Sequence, residues 1–421
     1  MSDLQRSFAK SHLSKLAPEP PPVFNEQDEI DQQSTDTSDL GPSSPNGSSS
    51  SASSASSAGT IVPSPSRNLF EKPRASNIKS RSAPLPWDDF YSQDLILPQE
   101  TPSETINHHV YLTPPSAKGP LIITHHGAGS SGLSFATFTQ ELLKLIPNAG
   151  VLSIDARGHG LTTMTTTSTS TSSSTTPTPD LTLATLASDL AFVVESVITH
   201  LKLSDRPDMI LIGHSLGGAV VVEVAHQRLL GPSLVGYGVL DVVEGSAMDA
   251  LQSMDTYLST RPQSFVSLSS AIEWHTRSRT IRNNTSARVS VPSLLQPLDN
   301  NTNTNNASKY IWRTDLAATK PFWENWFVGL SSKFLTSRGA KLLLLAGTDR
   351  LDKELMIGQM QGKYQLQVFP EAGHFVHEDQ PAKTAMVVAD FYRRNDRSAL
   401  VLPPKVDELI RQGKLKPAAS S

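Results

Sequence analysis

Gly213-His-Ser-Leu-Gly217 is the stretch of this chain best suited to nucleophilic chemistry. A Gly-x-Ser-x-Gly run lets a strand turn sharply into a helix with the central hydroxyl exposed, because side chains at the two glycine positions would strike neighbouring backbone. The context fits. Met209-Ile-Leu-Ile212 reads as a buried strand before the run, and Ala219-Val-Val-Val-Glu-Val-Ala225 as an apolar helix after it. Ser215 is therefore the candidate nucleophile. A serine hydroxyl reacts only when a base takes its proton, and in the chain order nucleophile, acid, base, the base falls near the C-terminus. Of 12 histidines, only His374 and His377 follow the last strand-like run, which ends at Phe369. His374, in Ala372-Gly-His374, is the candidate base. His377, beside Glu378 and Asp379, reads as part of a solvated ion pair. His214 is expected to pack around the turn, and His125 and His126 to position a loop.

The acid must hold the imidazole in one tautomer and stabilise its charged form. Asp349 follows Leu342-Leu-Leu-Leu345, and Asp241 follows Val239-Leu240, so both stand beyond strand-like runs. Spacing favours Asp349 slightly, with Asp352 and Glu244 as weaker candidates. Charge developing on the substrate oxygen requires two backbone N–H donors. Leu216, next after the nucleophile, supplies one. Ala128, in His126-Gly-Ala-Gly129, is expected to supply the other.

These residues all sit where apolar runs end. Leu121-Ile-Ile-Thr124, Val151-Leu-Ser-Ile154, Met209–Ile212, Leu234–Leu240 and Leu342–Leu345 are short and continuous, without in/out alternation. That pattern suits strands buried on both faces of a parallel sheet. Between them, Phe135–Leu145, Leu186–Leu201, Ala219–Leu230 and Ala382–Arg393 carry apolar residues at helical spacing. Strand–helix alternation predicts an α/β fold with a mostly parallel sheet, whose ligands bind beyond the carboxyl ends of the strands. Glu244 to Leu335 shows helical segments, four tryptophans and no clear strand pattern, and is expected to form a cap over the site.

Composition narrows the chemistry further. The chain has 421 residues and no cysteine, which excludes disulfides, thiolate metal sites and thiol nucleophiles. Lys and Arg total 36 against 40 Asp and Glu, so there is no basic excess of the kind nucleic-acid binders carry. No run approaches 18 consecutive apolar residues, so no membrane span is expected. The start lacks a signal-peptide core, and the sequons at Asn46 and Asn306 read as chance products of polar tracts. His-Glu-x-x-His is absent, and no metal or cofactor is expected.

The residues resemble the protein phosphatase methylesterases, a branch of the α/β-hydrolases. The resemblance rests on Gly213-His-Ser-Leu-Gly-Gly-Ala219, Leu240-Asp-Val-Val-Glu-Gly-Ser-Ala-Met-Asp-Ala-Leu251, Ala271-Ile-Glu-Trp274, Ile281-Arg-Asn283 and Ser286-Ala-Arg-Val289. It continues through Leu342–Asp352, Ile357-Gly-Gln-Met-Gln-Gly-Lys363 and Ala372-Gly-His-Phe-Val-His-Glu-Asp379. Pro86-Trp87 with Phe90 looks like the family's entry segment. The resemblance implies an α/β-hydrolase fold with a helical cap. It implies removal of the methyl ester from the C-terminal leucine of the type 2A protein phosphatase catalytic subunit. It also assigns the acid to the Asp-Val-Val-Glu-Gly run, hence Asp241 and not Asp349.

The expected organisation is a disordered Ser/Pro-rich tail (1–80), a catalytic domain (81–398) and a C-terminal tail (399–421). Within the domain, 162–179 is expected as a disordered loop insertion and 245–337 as the cap, with a disordered Asn-rich loop at 295–308. A cytoplasmic or nuclear location is expected. Two other functions fit the same residues: a small-molecule esterase or lipase-like hydrolase, and a noncatalytic protein that sequesters the phosphatase.

Overall fold

The computed structural model describes residues 81–116, 118–166, 179–203, 205–298, 309–347 and 351–396, together with residue 411. All of these lie in one compact unit, Ile78–Ser421. The expected tail 1–80 lies outside the described residues, as do 167–178, 299–308, Asp349 and nearly all of 399–421.

The strands run in chain order β1 (Gln93–Glu100), β2 (Glu104–Thr113), β3 (Leu121–His125), β4 (Gly150–Ile154), β5 (Thr163–Thr166), β6 (Met209–His214), β7 (Leu234–Leu240), β8 (Ser264–Phe265), β9 (Leu295–Pro297), β10 (Tyr310–Trp312), β11 (Ala340–Leu345) and β12 (Gln365–Val368). The main sheet has the order β1-β2-β4-β3-β6-β7-β11-β12, with β5 on β2. From β4 to β12 every pairing is parallel, whereas β1, β2 and β5 pair antiparallel.

The continuous apolar runs are buried on both faces, as a covered parallel sheet requires. Every residue of β3, β4, β6 and β7 is buried. Leu121, Ile123 and Leu211 pack with Leu190, Val194, Val220 and Val224 on one side. Ile122, Ile210 and Ile212 pack with Phe138, Leu142, Val388 and Phe391 on the other. Helix Leu183–Leu201 is long and apolar enough to cross a bilayer. Its apolar residues are instead spent on the core, with Leu186, Leu190, Val193, Val194 and Val197 buried.

Two expectations are corrected. Residues 162–179 are not a loop from their first residue. Thr163–Thr166 forms β5 on β2, and Thr162 is buried, accepting from His109 N–H and donating to the Asp155 carbonyl. β-branched threonines suit an edge strand. The cap region contains strands as well as helices: β8, β10 and β9 form a small sheet. Leu295–Pro297 therefore belongs to that sheet and not to the Asn-rich loop.

Candidate active site

Ser215 occupies the turn between β6 and helix Leu216–Gln227, at φ 52° and ψ −121°. That conformation is sparsely populated for any residue with a side chain and persists only where its surroundings impose it. Here the turn is gripped on both sides. Ser215 N–H donates to the Leu240 carbonyl at the end of β7 (3.1 Å), and Gly218 N–H donates back to the Ser215 carbonyl (2.8 Å). A Cβ on Gly213 would lie 2.1 Å from the Gly217 carbonyl oxygen, and one on Gly217 would lie 2.1 Å from that of His125. Both glycines of the run are thus fixed by close backbone approach.

Asp241 follows β7 at φ 52°. Its N–H donates to the Leu344 carbonyl (2.7 Å), and its Oδ1 accepts from Ala346 N–H (2.8 Å). The other oxygen, Oδ2, lies 2.8 Å from His374 Nδ1. A buried carboxylate only accepts, so Nδ1 carries the proton and Nε2 keeps the lone pair that a general base uses. The Asp241 side chain is fully buried while that of His374 is 45% exposed. The pair thus has an anchored, water-excluded end and an open end. Among the described residues no hydrogen bond joins Ser215 Oγ to His374. Such contacts commonly close only when substrate binds.

His214 does more than fill space. Its Nε2–H donates to the His374 carbonyl (2.9 Å), so the residue beside Ser215 holds the backbone of His374. Burial, with His374 nearby, pushes its pKa down to about 3 and keeps it neutral. Adjacency to Ser215 was the only sequence signal for this role. His377, Glu378 and Asp379 are not a solvated ion-pair cluster. All three are buried, and the His377 ring stacks on Phe135 at 4.2 Å. The short helix Val376–Asp379 is enclosed by Asn284–Ser290 and Ala136–Leu145. Asp379 Oδ2 accepts from Gly373 N–H (2.7 Å) and its Oδ1 from Arg282 N–H (2.7 Å), which ties the His374 loop to the cap.

Of the other acids, Glu244 accepts from Gly329 and Ser331 N–H, and Asp352 caps helix Lys353–Met360 through Leu355 N–H. Neither is bonded to His374. Asp349 lies outside the described residues. The loop carrying Ala128 passes close to Ser215: a Cβ on Gly127 would lie 3.0 Å from Ser215 Cβ. Leu216 N–H stands in the first turn of its helix, where backbone donors have no intrahelical acceptor. Among the described residues no cluster of three His, Asp or Glu could hold a metal ion.

The chain has close relatives in sequence. A protein named protein phosphatase methylesterase 1 from Aspergillus oryzae is 57% identical over 437 residues, spanning 100% of this chain and 96% of its own. The chain belongs to the protein phosphatase methylesterase family. A member from Schizosaccharomyces pombe is 46% identical, spanning 76% of this chain and 87% of its own. The model of the wider alpha/beta hydrolase family matches residues 122–387. Among solved structures, E-2-(acetamidomethylene)succinate hydrolase superposes with a TM-score of 0.53 at 20% identity over 72% of this chain and 100% of its own. A peroxisomal alpha-beta-hydrolase of Saccharomyces cerevisiae gives 0.52 at 13% over 76% of this chain and 94% of its own. At those identities the likeness is one of fold. The methylesterase family and the hydrolase fold are therefore those that the motifs implied.

Proposed function

We propose that this methylesterase-family chain hydrolyses the methyl ester on the C-terminal leucine of the type 2A protein phosphatase catalytic subunit. The observation that carries the reading is the Asp241–His374 hydrogen bond beside the Ser215 turn, in a chain related end to end to proteins named as protein phosphatase methylesterases. Ser215 Oγ attacks the ester carbonyl as His374 Nε2 takes its proton. Asp241 fixes the ring and stabilises its charged form. Ala128 and Leu216 N–H groups bind the oxyanion. The intermediate expels methoxide, which leaves as methanol with the proton from His374. Water then attacks the acyl-serine with His374 again as base, releasing the leucine carboxylate and restoring Ser215. No step requires a metal or organic cofactor.

The open end of the pair supports a macromolecular substrate. A His374 side chain nearly half exposed suits a site that admits a protein tail from solution, more than an apolar chamber for small acyl esters. The test compares kcat/KM for the methylated phosphatase catalytic subunit with that for short acyl esters. The reading predicts a strong preference for the phosphatase. A preference for the short esters would make this a small-molecule esterase, and tight phosphatase binding without turnover would make it a sequestering protein.

A further inference from the structure

The loop bearing Ala128 is held by two buried histidines that the reaction itself does not use. Gly129 N–H donates to His159 Nε2 (2.9 Å), and His159 Nδ1 lies 2.9 Å from the Arg157 carbonyl oxygen. A carbonyl only accepts, so the proton sits on Nδ1 and the Nε2 lone pair faces Gly129. His126 repeats the pattern: Nδ1–H donates to the Gly127 carbonyl (2.8 Å), and Nε2 accepts from Ala156 N–H (3.0 Å). Each ring is nearly fully buried, and the two stand 5.1 Å apart. Each works only as the neutral Nδ1–H form, and burial holds both below the usual histidine pKa.

The anchor behind His159 is firm. Arg157 donates to both carboxylate oxygens of buried Asp189 (2.8 and 2.9 Å) and pairs with Glu104. On the other side, Ser130 N–H closes a turn onto the Gly127 carbonyl (3.1 Å), with Gly129 at φ 73°. The cap seals the turn. A Cβ on Gly129 would meet Leu316 at 2.7 Å, and Thr314 Oγ1 donates to the Gly158 carbonyl (3.0 Å).

We infer that His159 is a positioning residue for ester hydrolysis: by accepting the Gly129 N–H it fixes the turn that presents the Ala128 N–H to the oxyanion. This rests on the proposed role of Ala128. His159→Gln keeps an acceptor near the reach of Nε2. His159→Asn places its amide near Nδ1 and leaves Gly129 N–H without one. For His159→Asn the expected result is a kcat lower by about tenfold to a hundredfold with KM unchanged, less than deletion of an oxyanion donor. Affinity for an alkylboronic acid, whose tetrahedral serine adduct mimics the intermediate, falls in parallel. His159→Gln recovers most of both. Equal losses in the two variants, no loss in either, or a loss confined to KM would overturn the inference.

A second measurement needs no variant. Nitrogen-15 NMR of the wild-type protein at neutral pH should show His159 protonated at Nδ1 alone, and an Nε2–H or charged ring would overturn the inference. If Ser215→Ala abolishes turnover while His159→Asn leaves it unchanged, this inference fails alone. If Ser215→Ala retains turnover, the reading beneath it fails.

Discussion

Asp241 Oδ2 and His374 Nδ1 lie 2.8 Å apart although 133 positions separate the residues in the chain. The contact joins the ends of two different strand–loop units, β7 and β12, and it fixes which nitrogen of His374 is free to act as base. Replacing Asp241 by Asn presents an amide donor where the carboxylate accepted and favours the wrong tautomer. Asp241→Asn should lower kcat by about 10⁴-fold with little change in KM, while Asp349→Asn leaves kcat unchanged. Steady-state kinetics on the methylated phosphatase decides between them, and a larger loss at Asp349 would contradict the assignment.

The strain at Ser215 predicts a trade between stability and activity. A non-glycine residue held at φ 52° stores about 1–3 kcal/mol. Ser215→Gly should abolish hydrolysis yet raise stability by about 1 kcal/mol, part of the released strain being offset by glycine's greater freedom in the unfolded chain. For a domain of this size that is a Tm increase of about 1–2 °C. A lower Tm would mean that the turn is not strained.

Ala128 stands at the second position of the turn that Ser130 N–H closes, a position where proline is well accommodated when the next residue has positive φ. Ala128→Pro therefore removes one N–H while keeping the turn. It should reduce kcat by about 10²–10³-fold with the melting temperature nearly unchanged. A fully active Ala128→Pro protein would move the oxyanion donor elsewhere.

Glu378 predicts a pH dependence of stability. Burial, reinforced by neighbouring Asp379, raises its pKa from 4.5 to about 8. Ser290 Oγ lies 2.9 Å from the Ser286 carbonyl and 2.5 Å from Glu378 Oε2. One hydroxyl proton serves only one of these, so a protonated Glu378 donating to Ser290 completes the set. A folded-state pKa above the unfolded one gives stability that is complete below about pH 4.5 and is lost as pH rises through about 8. Glu378→Gln should therefore gain stability relative to wild type between pH 5 and pH 9. Thermal melts of the two proteins across that range check this, and a constant difference would contradict it.

The sheet, the serine turn and the placing of His374 beyond the last strand were legible because each strand is a continuous apolar run ending in a polar cluster. The choice between Asp241 and Asp349 was not legible from spacing. β7 and β11 are parallel neighbours, so their carboxyl ends lie side by side, and only the family motif pointed to Asp241. β5 escaped notice because a threonine tract reads as loop until β2 is there to pair with it. The cap strands span two or three residues each, too few for any period to emerge. Burial of His377, Glu378 and Asp379 was hidden because consecutive ionisable residues read as a solvated face. Part of what encloses them, Ser286 and Ser290, comes from about 90 residues away in the chain. The roles of His159 and His214 had no spacing signature, since both act by bonding backbone groups of distant loops.

The most direct test is methanol release from the methylated phosphatase catalytic subunit by the wild-type protein and by Ser215→Ala under single-turnover conditions. Wild type should release one methanol per phosphatase and leave a free leucine carboxylate, while Ser215→Ala, still folded, should release none above the uncatalysed rate. Methanol release by Ser215→Ala at the wild-type rate would contradict the account.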